Sequence, residues 1–137
     1  MSRNPKFDLV DEAVEVILNN ERIFGINSLK DWERNMNLVW HASGVISNGG
    51  LSYFIEQGGD LEASAQAYAD VAMPECASIL RLADSLVGDQ LDAIELLALL
   101  NNKADLVHSL SVAFWKSDES LVEKLYDYMC VHRKKWG

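Results

Sequence analysis

Proline is nearly missing from this chain. Only Pro5 and Pro74 occur, so few positions force a break in the backbone. Cysteine is equally scarce. Cys76 and Cys130 form no C-x-x-C pair and belong to no Cys/His ligand series, which excludes the usual zinc and dithiol patterns. Both sit in apolar helical patterns and are expected to be buried free thiols. No apolar run approaches the roughly 18 residues that span a bilayer. Met1-Ser2-Arg3-Asn4-Pro5 lacks the apolar stretch of a signal peptide, so a cytoplasmic protein is expected.

Basic residues are missing where they would matter most. Between Asn37 and Asn102 the single one is Arg81. Nine acids share that stretch: Glu56, Asp60, Glu62, Asp70, Glu75, Asp84, Asp89, Asp92 and Glu95. The whole chain carries a formal charge of −9. Direct binding to nucleic acid is disfavoured, because that affinity comes largely from Lys and Arg neutralising phosphates. The tail Arg133-Lys134-Lys135 is too short to reverse the balance. A positively charged partner surface fits this distribution. Acids on solvated helix faces also keep a protein dispersed, and charge alone does not separate the two readings.

Catalytic patterns are lacking too. The histidines His41, His108 and His132 form no H-E-x-x-H and no i, i+4 pair. Ser43-Gly44 and Ser47-Asn48-Gly49 are not the G-x-S-x-G elbow, and no strand precedes them. Asp105 and His108 share a helix face but have no nucleophile in sequence. No catalytic residue, cofactor site or metal site is assigned.

What the sequence does have is helix. Of its 137 residues 49% are hydrophobic, enough for one domain with a core. Apolar positions recur at helical spacing throughout. A first helix is expected from about Asp8 to Phe24, with Leu9, Ala13, Val14, Ile17 and Leu18 as its stripe and Gly25 as its stop. A second follows Ser28, which with Asp31 resembles a capping box, and buries Leu29, Trp32, Met36, Val39 and Trp40. It is expected to stop at Gly44. Asn48 would cap a third helix, with Gly49 and Gly50 in its first turn. Asp60 caps a fourth, about Leu61 to Ala72. Pro74 opens a fifth, which carries Cys76, Ile79, Leu80, Ala83 and Leu86. A sixth presents Leu91, Ile94, Leu97 and Ala98. A seventh, about Lys103 to Trp115, uses Leu106, Leu110, Ala113 and Phe114. Ser120 and Glu123 open the last. The expectation is an all-α fold, one compact domain over residues 1–137 with about seven to eight short helices.

Asn48-Gly49-Gly50-Leu51-Ser52-Tyr53-Phe54 is the most specific segment. Gly near a helix start is costly, so a reason is needed. Exposed N–H groups there would suit an anion, but no Lys or Arg lies between Arg34 and Arg81 to assist. Close packing of another backbone or a ring on the helix start is the stronger reading.

Asn48-Gly49-Gly50-Leu51-x-x-Phe54-x-x-Gln57 resembles the Asn-Gly-Gly-aromatic-x-x-aromatic-x-x-Asn signature of a bacterial all-helical family. That family was formerly a domain of unknown function and includes an acidic DNA-mimic protein. Ala77-x-x-Leu80-x-x-Ala83, Leu110-x-x-x-Phe114-Trp115 and Leu121…Leu125…Tyr128 follow in the family's order, so the likeness covers about residues 38–128. Leu51 replaces the usual aromatic, Gln57 the usual Asn, and Ser111 stands where the family often has Asp. The resemblance implies no enzyme, no cofactor and no metal. It implies an interaction module, with a homodimer among the expected states. In the mimic reading Glu56, Asp60, Glu62, Asp89, Asp92 and Glu95 imitate a phosphate series and meet a DNA-binding regulator. The alternatives are an immunity-type protein that neutralises a toxin, and a small-molecule binder or enzyme with a pocket near His41, Trp40 and Asn48.

Overall fold

Asn4 begins the first helix by accepting a hydrogen bond from the Lys6 amide at 3.0 Å, and Pro5 follows at the first helical position. The computed structural model describes residues 4–88 and 92–133 in full and the backbone of 134–136. Over the described residues it contains seven α-helices: α1 (Pro5–Phe24), α2 (Asp31–Glu56), α3 (Leu61–Asp70), α4 (Pro74–Val87), α5 (Ala93–Asn102), α6 (Ala104–Ser117) and α7 (Leu121–Trp136). Short 3-10 turns at Ile26–Ser28 and Asp118–Ser120 lead into α2 and α7. No strand is present among the described residues. The fold is all-α and forms one compact domain.

The long helix α2 is the spine. It packs on α1, α3 and α6, while α3 and α4 form a hairpin and α7 returns to lie against α1. One continuous core runs through all of these. Its largest fully buried side chains include Tyr68, Phe54, Phe114, Met36 and Ile46. Tyr68 and Phe114 meet edge to face with ring centroids 5.5 Å apart. No helix among the described residues is long and apolar enough to cross a membrane.

Several expected details change. α1 starts at Pro5, not Asp8, and buries Val10, Ala13, Val14 and Ile17. Leu9 and Leu18 stay outside, because the stripe that α7 and α2 cover is narrower than the apolar run. Ser28 caps nothing in α2. Its hydroxyl donates back to the Gly25 carbonyl at 2.6 Å, and Glu33 accepts from the Lys30 amide at 2.9 Å to close the helix start. α3 ends at Asp70, since Ala72 takes a left-handed conformation (φ 66°). Cys76 is buried, but Cys130 is only half-buried; both are free thiols. α6 turns Val107, Ser111 and Phe114 inward and leaves Leu106 exposed. α5 buries Leu100, and its expected face is outside: Ile94 is 81% and Leu97 52% exposed. Leu91, assigned to that face, lies outside the described residues.

Candidate functional site

The Asn-Gly-Gly segment is a joint inside one helix. α2 does not stop at Gly44, and Asn48 does not cap a new helix. Helical structure runs on through Asn48 and Gly49 to Gly50, whose φ of 77° and ψ of −179° break it. Leu51 then starts a second helical segment that carries Leu51, Phe54 and Ile55 into the core.

α6 satisfies both sides of this break. The Leu51 amide donates to Ser111 Oγ at 3.0 Å, and the Ser111 hydroxyl donates to the Val107 carbonyl at 3.0 Å. Trp115 Nε1 donates to the Ile46 carbonyl at 2.9 Å. Polar backbone freed by the kink is therefore paired, as burial requires. This removes the anion-binding reading. Gly50 is buried, and the Leu51 N–H that would greet an anion is already held by Ser111.

Beside the joint lies an open cleft of about 470 Å³. Trp40, Ser43, Gly44 and Ser47 contribute one wall from α2, and Trp115 contributes from α6. Asp118 and Glu119 enter from the 3-10 turn. Asp118 is half-buried. It accepts from the Ser43 hydroxyl at 2.5 Å and from the Tyr68 hydroxyl at 3.0 Å. Burial pushes its carboxyl up to about 6, and these two hydrogen bonds only partly oppose that shift. Burial also raises the Tyr68 hydroxyl, with the Asp118 charge adding to it. The Cys76 thiol is pushed up to about 12 by burial and the same charge, so it is a protonated core thiol.

The pocket expected near His41, Trp40 and Asn48 divides accordingly. Trp40 borders the cleft. His41 borders a separate apolar cavity of about 320 Å³ with Leu18, Ile26, Leu29 and Leu38. Asn48 is exposed and lines neither. Asp118 was missed in the sequence because it sits in a polar linker, 75 positions from its partner Ser43. Among the described residues no group of three or more His, Cys, Asp or Glu side chains is placed to hold a metal.

The acids chosen from the sequence have different surroundings. Asp60 accepts from the Ala63 amide at 2.9 Å and caps α3. Asp92 accepts from the Glu95 amide at 2.8 Å and caps α5, and that bond holds its carboxyl below the usual range. Glu62 reaches Arg81 at 3.8 Å across the α3–α4 hairpin. Glu56 and Glu95 are exposed. Asp89 lies outside the described residues.

Packing relates these positions to one another. The Glu62–Arg81 pair sets the start of α3 beside the C-terminal half of α4. Ile55, at the end of α2, shares a small apolar cavity with Ala83 and Val87 of α4 and Leu99 and Leu100 of α5. The end of α2, the start of α3, the end of α4 and α5 therefore meet at one end of the bundle. Asp70 and Glu75 belong to the opposite end of the hairpin. There Asp70 accepts from Asn35 at 3.2 Å, and Glu75 accepts from Ser117 at 3.3 Å.

A family model described as DMP19-like protein matches residues 27–133. No curated protein and no solved structure matches the chain.

Proposed function

We propose that this chain, which belongs to the DMP19-like protein family, is a non-enzymatic interaction protein that mimics DNA and occupies the basic DNA-binding face of a partner. The observation that carries the reading is the meeting of α2, α3, α4 and α5 at one end. The helix ends that meet there carry Glu56, Asp60, Glu62, Asp84, Asp92 and Glu95 in their sequence, against Lys103, which lines the same cavity, and Arg81, which reaches Glu62. A DNA-binding protein presents Lys and Arg positioned for phosphates, and fixed carboxylates on helix ends offer it the same charge. Asp60 and Asp92 are held by their capping bonds, so two of these charges are fixed in direction. The family match and the net charge of −9 support the same reading.

The test is competition. Immobilised protein is exposed to a lysate of its source cells, and bound proteins are challenged with duplex DNA and with salt. The expected result is retention of DNA-binding proteins that short duplex DNA releases. Retention should also fall steeply with salt, because paired charges on exposed surfaces are screened within about 10 Å at 0.1 M. The triple variant Glu56→Lys, Glu62→Lys, Glu95→Lys should lose them. Partners that withstand both DNA and salt, or that bind the triple variant equally, overturn the proposal.

A further inference from the structure

The cleft beside the α2 joint has no part in the acidic end, and its chemistry is specific. Asp118 is a half-buried carboxylate with hydroxyl partners only; among the described residues no cation offsets it. Glu119 adds an exposed carboxylate at the same opening. Aromatic rings stand in the walls, with Leu121 and Val122 beside them. Trp40 lies against Phe7 with ring centroids 5.6 Å apart. The Trp115 indole is held in place by its bond to the Ile46 carbonyl, so that wall is fixed before anything binds. Between the rings the α2 surface consists of small residues: Ser43, Gly44 and Ser47.

Aromatic faces beside an unpaired carboxylate select a cation with a flat, weakly hydrated head and an apolar stem. A neutral ligand leaves the carboxylate uncompensated, and an anion is repelled by it. An inorganic cation gains nothing from the rings and, being strongly hydrated, needs more oxygen ligands than Asp118 has to spare. A chain of net charge −9 meets cationic side chains on basic proteins. We propose that the cleft is a binding site for an arginine side chain presented by a partner protein, with the guanidinium at Asp118 and its stem between Trp40 and Trp115. The proposal rests on the reading of a basic protein partner, but the site is separate from the acidic end.

The probe is a blocked tripeptide, acetyl-Gly-Arg-Gly-amide, titrated into the full chain while the indole N–H signals are followed by NMR. Its citrulline analogue, its lysine analogue and butylguanidine are titrated in parallel. The expected result is saturable binding that shifts the Trp40 and Trp115 signals, with the citrulline peptide weaker by about tenfold or more. Lysine is expected to bind several-fold more weakly, lacking the planar head. Butylguanidine is also expected to be weaker, because it cannot place peptide groups at Ser47 and Glu119.

Asp118→Asn should abolish binding, whereas Glu62→Gln, which removes the same charge elsewhere, should leave it unchanged. Gly44→Leu is the second variant. Gly44 lines the cleft and a Cβ there meets nothing within 4 Å, so a larger side chain can be added at the cleft wall without a clash at its Cβ. It should block binding even if Asp118→Asn proves unstable. Failure of the arginine peptide to shift either indole overturns the proposal. So does equal loss on Glu62→Gln, and so does butylguanidine binding as tightly as the peptide. The triple charge reversal at Glu56, Glu62 and Glu95 should not alter peptide binding by more than a few-fold, so the two readings fail separately.

Discussion

Ser111 Oγ lies 3.0 Å from the Leu51 amide nitrogen, sixty positions away in the chain, and supplies the acceptor that the broken helix lacks. Both residues are buried, and the Ser111 hydroxyl donates its own hydrogen bond to the Val107 carbonyl at 3.0 Å. A serine in the apolar stripe of α6 is thus explained by a backbone need on α2.

Replacing Ser111 with alanine should leave that buried N–H without a partner. The expected loss is about 1–3 kcal/mol in urea unfolding, the usual cost of an orphaned buried donor. Trp115→Phe removes the donor to Ile46 at the other side of the break and should cost about 1 kcal/mol. The double variant should depart from additivity, because both bonds support one joint. Full additivity would show that the two sides act separately.

Two glycines of α2 should respond in opposite directions. Gly50 has φ 77°, and an added Cβ would lie 3.3 Å from Ser111 Oγ. Gly50→Ala should therefore destabilise by about 1–3 kcal/mol, combining backbone strain with a disturbed cap. Gly44 is helical and faces open space. Gly44→Ala should stabilise by about 0.5–1 kcal/mol through helix propensity. Thermal unfolding of the two variants side by side checks both signs.

Asp118 makes stability depend on pH in an unusual direction. Its folded value is about 6, above the roughly 3.9 of an unfolded aspartate. Between these values the native state holds the proton more tightly. Its contribution is therefore fully present below about pH 4 and is lost as pH rises through 6. For a half-buried group the amount is about 1–2 kcal/mol. Asp92, held low by its capping bond, acts the opposite way. The readout is therefore the difference between wild type and Asp118→Asn at pH 4.5 and pH 7.5. The variant should lack the acid-side gain and keep most of its stability at pH 7.5, since Asn still accepts from Tyr68 or Ser43.

α5 should tolerate polar substitution. Ile94 is 81% exposed, so Ile94→Gln should change unfolding free energy by no more than about 0.5 kcal/mol. Leu100→Gln, at a position 5% exposed, should cost several times as much. Similar losses at both positions would mean that Ile94 is covered in solution, as in an assembly.

Helix type and order were legible because they depend on local signals. Gly25, Asp60 and Pro74 act within a turn or so of their own positions, and the structure uses each where the pattern put it. The helix break near Gly50 was legible in kind but misplaced. Asn48 is a good cap by propensity, yet the backbone changes direction only where the residue tolerates φ 77° and a donor from another helix is waiting. The outward turn of Ile94 and Leu97 was not legible. Periodicity marks an apolar face without saying whether a neighbour covers it.

The acidic stretch was legible as composition, since counting charges needs no coordinates. Which acids lie together, which cap helices and which reach Arg81 depends on how α2, α3, α4 and α5 pack. The cleft was invisible for the same reason, because Ser43, Tyr68, Trp115 and Asp118 come from four separate segments. The sequence by itself determined an all-helical chain, most of its stops, its charge and its family, and the signals for the helices act over a few residues. Only the tertiary structure decided what the Asn-Gly-Gly segment does and where an unpaired carboxylate meets aromatic walls. Hydrogen bonds and desolvation act between atoms close in space, and here those atoms are 50 to 75 positions apart in the chain.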